Sequence, residues 1–260
     1  MKTRLRDCSA SDATVDRFLR GHATRELTRG KSPIRSWLVE ADGEALFAKW
    51  APTHLYPSTL AKDAAICTAP PHPAVVPLLN LITLSDGILL LFPWVKADPL
   101  KEPAHWARFF DLPVAEKQRA LCTIFTALTA IVEREWIMEG LDEGSLLYSF
   151  PTGAAWLIDF ACFHRGTRYR AERELTCGSD RFLPPEGRVR GSWIDQSSNV
   201  FALGRYAIRA LSTRTDEGWL AGFQGSGALA GVLQRATRTS RHERYHTIRA
   251  FLEAFEAAPA

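Results

Sequence analysis

The stretch IMEGLDEGSLLYSFPTGAAWLIDF, residues 137–160, crowds Glu139, Asp142 and Glu143 around Gly140 and Gly144, then returns through two short apolar runs to a lone Asp159. Carboxylates gathered in a turn can do general-base work, provided that one of them reaches the reacting hydroxyl to about 3 Å. The plainer readings are solvated loop acids for the cluster and a turn former for Asp159. A second signal, Gly30-Lys31-Ser32, has the ending of a phosphate-binding P-loop. That motif needs a Gly five residues before Gly30, and Arg25 stands there, so a P-loop is rejected.

Length and composition bound what surrounds these residues. A chain of 260 residues with 46% hydrophobic content can bury a substantial core, as one large domain or as two lobes. The net charge of +3 is too small to argue for nucleic acid. Charge is nevertheless uneven, because residues 164–190 hold seven Arg against four acids. This favours an anionic partner only weakly against a solvated loop. The five Cys, at 8, 67, 122, 162 and 177, form no C-x-x-C pair, so neither a disulfide framework nor a zinc site is expected. Cys162 reads as a small packed residue and His72 as the end of a loop. The start MKTRLRDCSASD lacks an apolar signal core, and runs such as GILLLFPWV are too short to span a bilayer. A reducing cytoplasm, without membrane or nucleic-acid partners, is the expected setting.

The elements that must position the acids follow from hydrophobic period and turn signals. IRSWLVEADGEALFAKW alternates on either side of Asp42-Gly43 and predicts a β-hairpin. PSTLAKDAAICTA has helical spacing, and two further strands flank Ser85-Asp86-Gly87. VAEKQRALCTIFTALTAIVEREW predicts a long amphipathic helix, with SLLYSF and AAWLIDF as short strands around Pro151-Thr152-Gly153. Residues 164–190 read as an irregular basic loop. SNVFALGRYAIRAL, WLAGFQGSGALAGVLQRAT and RYHTIRAFLEAFEAA then read as helices. The expected fold class is α+β, with a β-rich small lobe over residues 1–96 and a helical large lobe over 97–260.

This order of elements and its motifs resemble the eukaryotic-like protein kinase family from about residue 25 to residue 255. GSDRFLPPEGRVRGSWIDQSSNVFALGR is similar to the end of a kinase activation segment, with Pro184-Pro185-Glu186 at its Ala-Pro-Glu motif and SSNVFALG opening the central helix. The resemblance implies that Glu186 pairs with Arg244 of RHERYHTI. It implies that Lys49 of ALFAKW holds the α- and β-phosphates of ATP, against a snorkelling strand Lys as the plain alternative. Asp63 then orients Lys49, although the family uses a Glu one methylene longer. Gly30, with Lys31 and Ser32, stands where the family has several glycines covering the phosphates.

The catalytic loop departs furthest. Aligned without gaps, Gly140 occupies the position of the family's catalytic Asp, Met138 that of its His, and Ser145 that of its Mg²⁺-binding Asn. Asp159 keeps the place of the metal-binding Asp of Asp-Phe-Gly, with Ala161 replacing the Gly. Asn199 replaces an Asp that supports the catalytic loop. Two readings follow: a pseudokinase-like nucleotide-binding protein with a protein partner at its activation segment, and an active atypical protein or small-molecule kinase using Asp142 as base. Under the first, Gly140→Asp is expected to restore some activity.

Overall fold

A computed structural model describes residues 5–28, 32–41, 43–172 and 177–260. The chain is mixed α+β and divides into two compact units, Met1–Pro70 with Val75–Lys96, and Pro71–Ala74 with Ala97–Ala260. Among the described residues no helix is long and apolar enough to cross a membrane.

The first unit is built on a sheet. β1 (Ala23–Glu26), β2 (Arg35–Ala41), β3 (Glu44–Pro52), β4 (Asn80–Thr83) and β5 (Gly87–Pro93) lie in the order β1-β2-β3-β5-β4, with every neighbour antiparallel. The β2–β3 hairpin closes at Ala41 opposite Glu44, with Gly43 at φ +80, a conformation open to Gly without steric cost. Asp42, the other turn residue of the sequence reading, lies outside the described residues.

Alternation then sorts the side chains. Trp37, Val39, Leu46, Ala48, Leu89 and Leu91 share a buried cluster, whereas Lys49 belongs to the opposite parity of β3. α1 (Val15–Leu19), which the sequence reading lacks, covers that apolar cluster with Val15 and Leu19. It is tied down where Asp86 accepts from the Val15 amide at 3.0 Å. α2 (Leu60–Cys67) buries Leu60, Asp63, Ala64, Ile66 and Cys67.

The second unit is mainly helical. It holds β6 (Asp98–Pro99), α3 (Pro103–Phe110), α4 (Val114–Val132), β7 (Trp136–Met138), β8 (Leu146–Tyr148), β9 (Ala155–Leu157), β10 (Phe163–Arg165), β11 (Tyr169–Arg170), β12 (Trp193–Ile194), α5 (Gln196–Leu211), α6 (Gly227–Ala236) and α7 (Ile248–Ala257). Three small antiparallel sheets join β6-β8-β9, β10-β7 and β11-β12. α4 packs on α7 through Phe125, whose ring lies 5.4 Å from those of both Phe251 and Phe255.

α5 starts with a reciprocal cap: Asp195 accepts from the Ser197 and Ser198 amides, and Ser198 Oγ accepts from the Asp195 amide. Its burial is nearly complete, so it forms the axis on which the loops around it are hung.

Besides α1, four features differ from the sequence reading. α3 is an additional helix, opened by Pro103 in its first turn. α4 stops at Val132, because Glu135 takes a left-handed conformation and Trp136 begins a strand. The helix expected over 219–237 begins only at Gly227, where Ser226 caps the Leu229 amide, and Trp219–Gly222 is a 3₁₀ turn. The basic loop carries β10, β11 and the 3₁₀ turns Asp180–Phe182 and Pro185–Arg188.

Candidate functional site

In the first unit, Lys49 and Asp63 meet directly. β3 directs Lys49 away from the apolar cluster, and its Nζ donates to Asp63 Oδ2 at 2.8 Å. Asp63 is 3% exposed and the Lys49 side chain 17%, so the carboxylate is buried while the Lys49 side chain keeps partial exposure. The shorter carboxylate therefore makes the contact without a bridging water. Ser32 is exposed, and its Oγ accepts from the Ile34 amide at 3.2 Å. Gly30 and Lys31 lie outside the described residues.

In the second unit, the loop after β7 is held from three sides. Asn199 of α5 brackets Met138, accepting from its amide at 3.2 Å and donating to its carbonyl at 2.6 Å. The Glu139 amide donates to the Cys162 carbonyl at 2.7 Å. Beyond it, the backbone of Cys177 and Gly178 lies flat against Gly140 and Leu141. A β-carbon added to Gly140 would run into the Cys177 carbonyl oxygen and stand 2.7 Å from its carbon. One added to Gly178, itself at φ +86, would stand 2.6 Å from the Leu141 nitrogen. The Ser179 amide donates to the Leu141 carbonyl at 2.9 Å. Gly140 thus faces a neighbouring backbone rather than an open space, and the expectation that Gly140→Asp restores a base is corrected: the carboxylate has no room there.

The three loop acids are all engaged. Glu139 Oε2 lies 2.7 Å from His164 Nε2, and the His164 ring stacks on Tyr169 with centroids 4.0 Å apart. Asp142 accepts from the Gly144 amide at 2.6 Å, capping the short turn Glu143–Ser145. Glu143 accepts from Arg181 Nη1 at 3.1 Å and stands 3.0 Å from Arg209 Nε of α5.

Asp159 follows β9 at φ +65, exposed to solvent. It and Glu135 are the two non-glycine residues at positive φ among the described residues. Such conformations cost energy and gather at functional sites, though Asp tolerates them better than most residues. The Ile158 amide donates to the Ser145 carbonyl at 2.8 Å, which sets Ser145 beside the start of the Asp159 turn. Asp159 and Ser145 carry side-chain oxygens of the kind Mg²⁺ accepts while keeping several waters. Among the described residues, no three His, Cys, Asp or Glu side chains gather as a metal site.

Three residues past Asp159, Cys162 is bonded to Cys177, with Cα atoms 5.8 Å apart. This corrects the expectation of no disulfide and of Cys162 as a merely packed residue. A spacing of 15 along the chain has no sequence signature, and only the fold brings the two together.

Glu186 and Arg244 form a two-pronged ion pair, at 2.8 and 3.0 Å. Arg244 is wholly buried and also donates to the carbonyls of Ser197, Arg238 and Thr239. Burial pushes the Glu186 carboxyl up, but hydrogen bonds from Arg244 and from Ser198 Oγ outweigh it and hold the group below the ordinary carboxylate range.

The sequence reading missed Cys177, His164 and the pair Arg181 and Arg209. Arg181 stood in view within the basic loop, but nothing local linked it to Glu143.

No protein-family model matches the chain, and no curated protein matches it.

Proposed function

We propose that the chain is a protein-kinase-like, nucleotide-binding protein whose ATP-dependent phosphotransfer is weak or lost, a pseudokinase-like relative of the eukaryotic-like kinases. The observation that carries this reading is the backbone of Cys177 lying against Gly140, which leaves no space for a catalytic carboxylate at that position. The neighbouring acids are already spent on His164, on the Gly144 amide and on two arginines. A placed base contributes about 10²–10⁴-fold, so its loss leaves transfer slow rather than impossible, since much of phosphoryl transfer rests on positioning and charge.

Lys49, oriented by Asp63, supplies the cation for the nucleotide phosphates, and Asp159 with Ser145 the oxygen donors for Mg²⁺. When bound, Mg²⁺ would neutralise charge on the phosphate oxygens. Two buried features support the kinase-like large lobe: the Glu186–Arg244 pair and the grip of Asn199 on Met138. A protein partner at the activation segment is favoured by exposed Val189 and Trp193, with the Arg168 guanidinium 4.4 Å over the Trp193 ring. The setting we assign is the cytoplasm, where a disulfide such as Cys162–Cys177 is as a rule redox-sensing rather than structural.

Single-turnover phosphotransfer with Mg-ATP tests this reading. Wild type should be slow, and Asp142→Asn should change it little because that carboxylate caps a turn. Robust transfer that collapses in Asp142→Asn would instead establish the atypical active kinase with Asp142 as base.

A further inference from the structure

We infer that the Cys162–Cys177 bond is a redox modification site, opened by a dithiol reductant, that decides whether residues 177–179 cover the Gly140 loop. The bond joins three backbone segments. Cys162 accepts from the Glu139 amide through its carbonyl, Cys177 lies on Gly140, and Ser179 donates to Leu141. Gly140 and Gly178 meet backbone to backbone, with no side chains to interdigitate, so apolar burial does little to hold the contact. What anchors it is the covalent tie, together with the Ser179–Leu141 hydrogen bond and the Arg181–Glu143 contact.

Both cysteines are only half-buried, whereas Cys67 is buried in the core of its unit at 3% exposure, and partial exposure favours attack by an incoming thiolate. The chemistry balances without a further reactant. One thiolate of the dithiol attacks a bridge sulfur, the S–S bond breaks, and the second thiol resolves the mixed disulfide. Two electrons and two protons pass from the reductant to Cys162 and Cys177, and the reductant leaves as its own disulfide.

Opening acts on more than Gly140. Ser179 Oγ caps the Arg181 amide, and Arg181 holds Glu143, so loosening 177–179 also weakens one of the two cations on that acid. Phe182 and Leu183 are buried, which limits the released piece to the residues before them. The inference does not rest on the kinase-like reading, because it concerns only which backbone is clamped.

Amide hydrogen exchange on the full chain, with and without dithiothreitol, tests it. Reduction should speed exchange at the Ser179 amide by about tenfold or more while amides inside α5 stay unchanged. Cys162→Ser should match the reduced wild type and ignore dithiothreitol; wild type with and without reductant suffices if that variant does not fold. Alkylation under denaturing conditions should label only Cys8, Cys67 and Cys122 in air-oxidised protein and all five cysteines after reduction. Equal Ser179 exchange in both redox states, or five reactive thiols in the oxidised protein, would overturn the inference.

Discussion

Gly140 and Cys177 meet backbone to backbone, the carbonyl of one filling the space where the other would carry a side chain. Any β-carbon at position 140 must push this carbonyl away. Gly140→Ala should therefore cost about 1–3 kcal/mol by overpacking, read as a lower denaturant midpoint. Gly140→Asp should cost at least as much and gain no phosphotransfer. Recovery of activity in the Asp variant would mean that the 177–179 backbone yields easily.

Arg244 is the buried anchor of the second unit. Truncation to Ala removes both bonds to Glu186 and leaves that carboxylate 8% exposed without its main cation. Equilibrium unfolding should show a loss of roughly 3–5 kcal/mol. Arg244→Lys should recover only part, because an ammonium cannot make the two-pronged contact.

Lys117 ties stability to alkaline pH. It is wholly buried in α4, donating to the Phe110 carbonyl at 2.8 Å and to Gln224 Oε1 at 2.5 Å. Burial pulls its pKa down to about 8 from 10.5, with the charge of Asp111 acting the other way. Below pH 8 both the folded and unfolded chains carry the proton, and the cost of burying the charge is fully present. Between about 8 and 10.5 the folded chain sheds the proton first, so this contribution to stability rises with pH. The difference in unfolding free energy between wild type and Lys117→Met should move in favour of wild type across that window. A flat difference would contradict the assignment.

Elements with strong local signals were legible in the sequence. Asp42-Gly43 marked the β2–β3 hairpin by turn chemistry, and the helical period marked α2, α5 and α7. α3 was missed although Pro103 and the spaced Trp106, Phe109 and Phe110 carry a helix signal. α6 was read too long because Trp219, Leu220 and Phe223 look helical, while Gly222, Gly225 and the Ser226 cap decide otherwise. Lys49 and Asp63 in the first unit, and Asp159 in the second, were named through the kinase resemblance, and the structure shows that the first two pair directly. What Gly140 faces, and what Cys162 bonds, depend on residues 37 and 15 positions away along the chain, and no local pattern encodes such meetings.

Nucleotide binding is the central claim, and a melting shift tests it most directly. With Mg-ATP at 100 times its dissociation constant, the folded protein should gain about 2.7 kcal/mol, a rise of about 5–10 °C for a chain of this size. Lys49→Met should abolish the rise, and omitting Mg²⁺ or changing Asp159→Asn should diminish it. A wild-type protein shown to be folded, whose melting temperature does not move with millimolar Mg-ATP, would contradict the account.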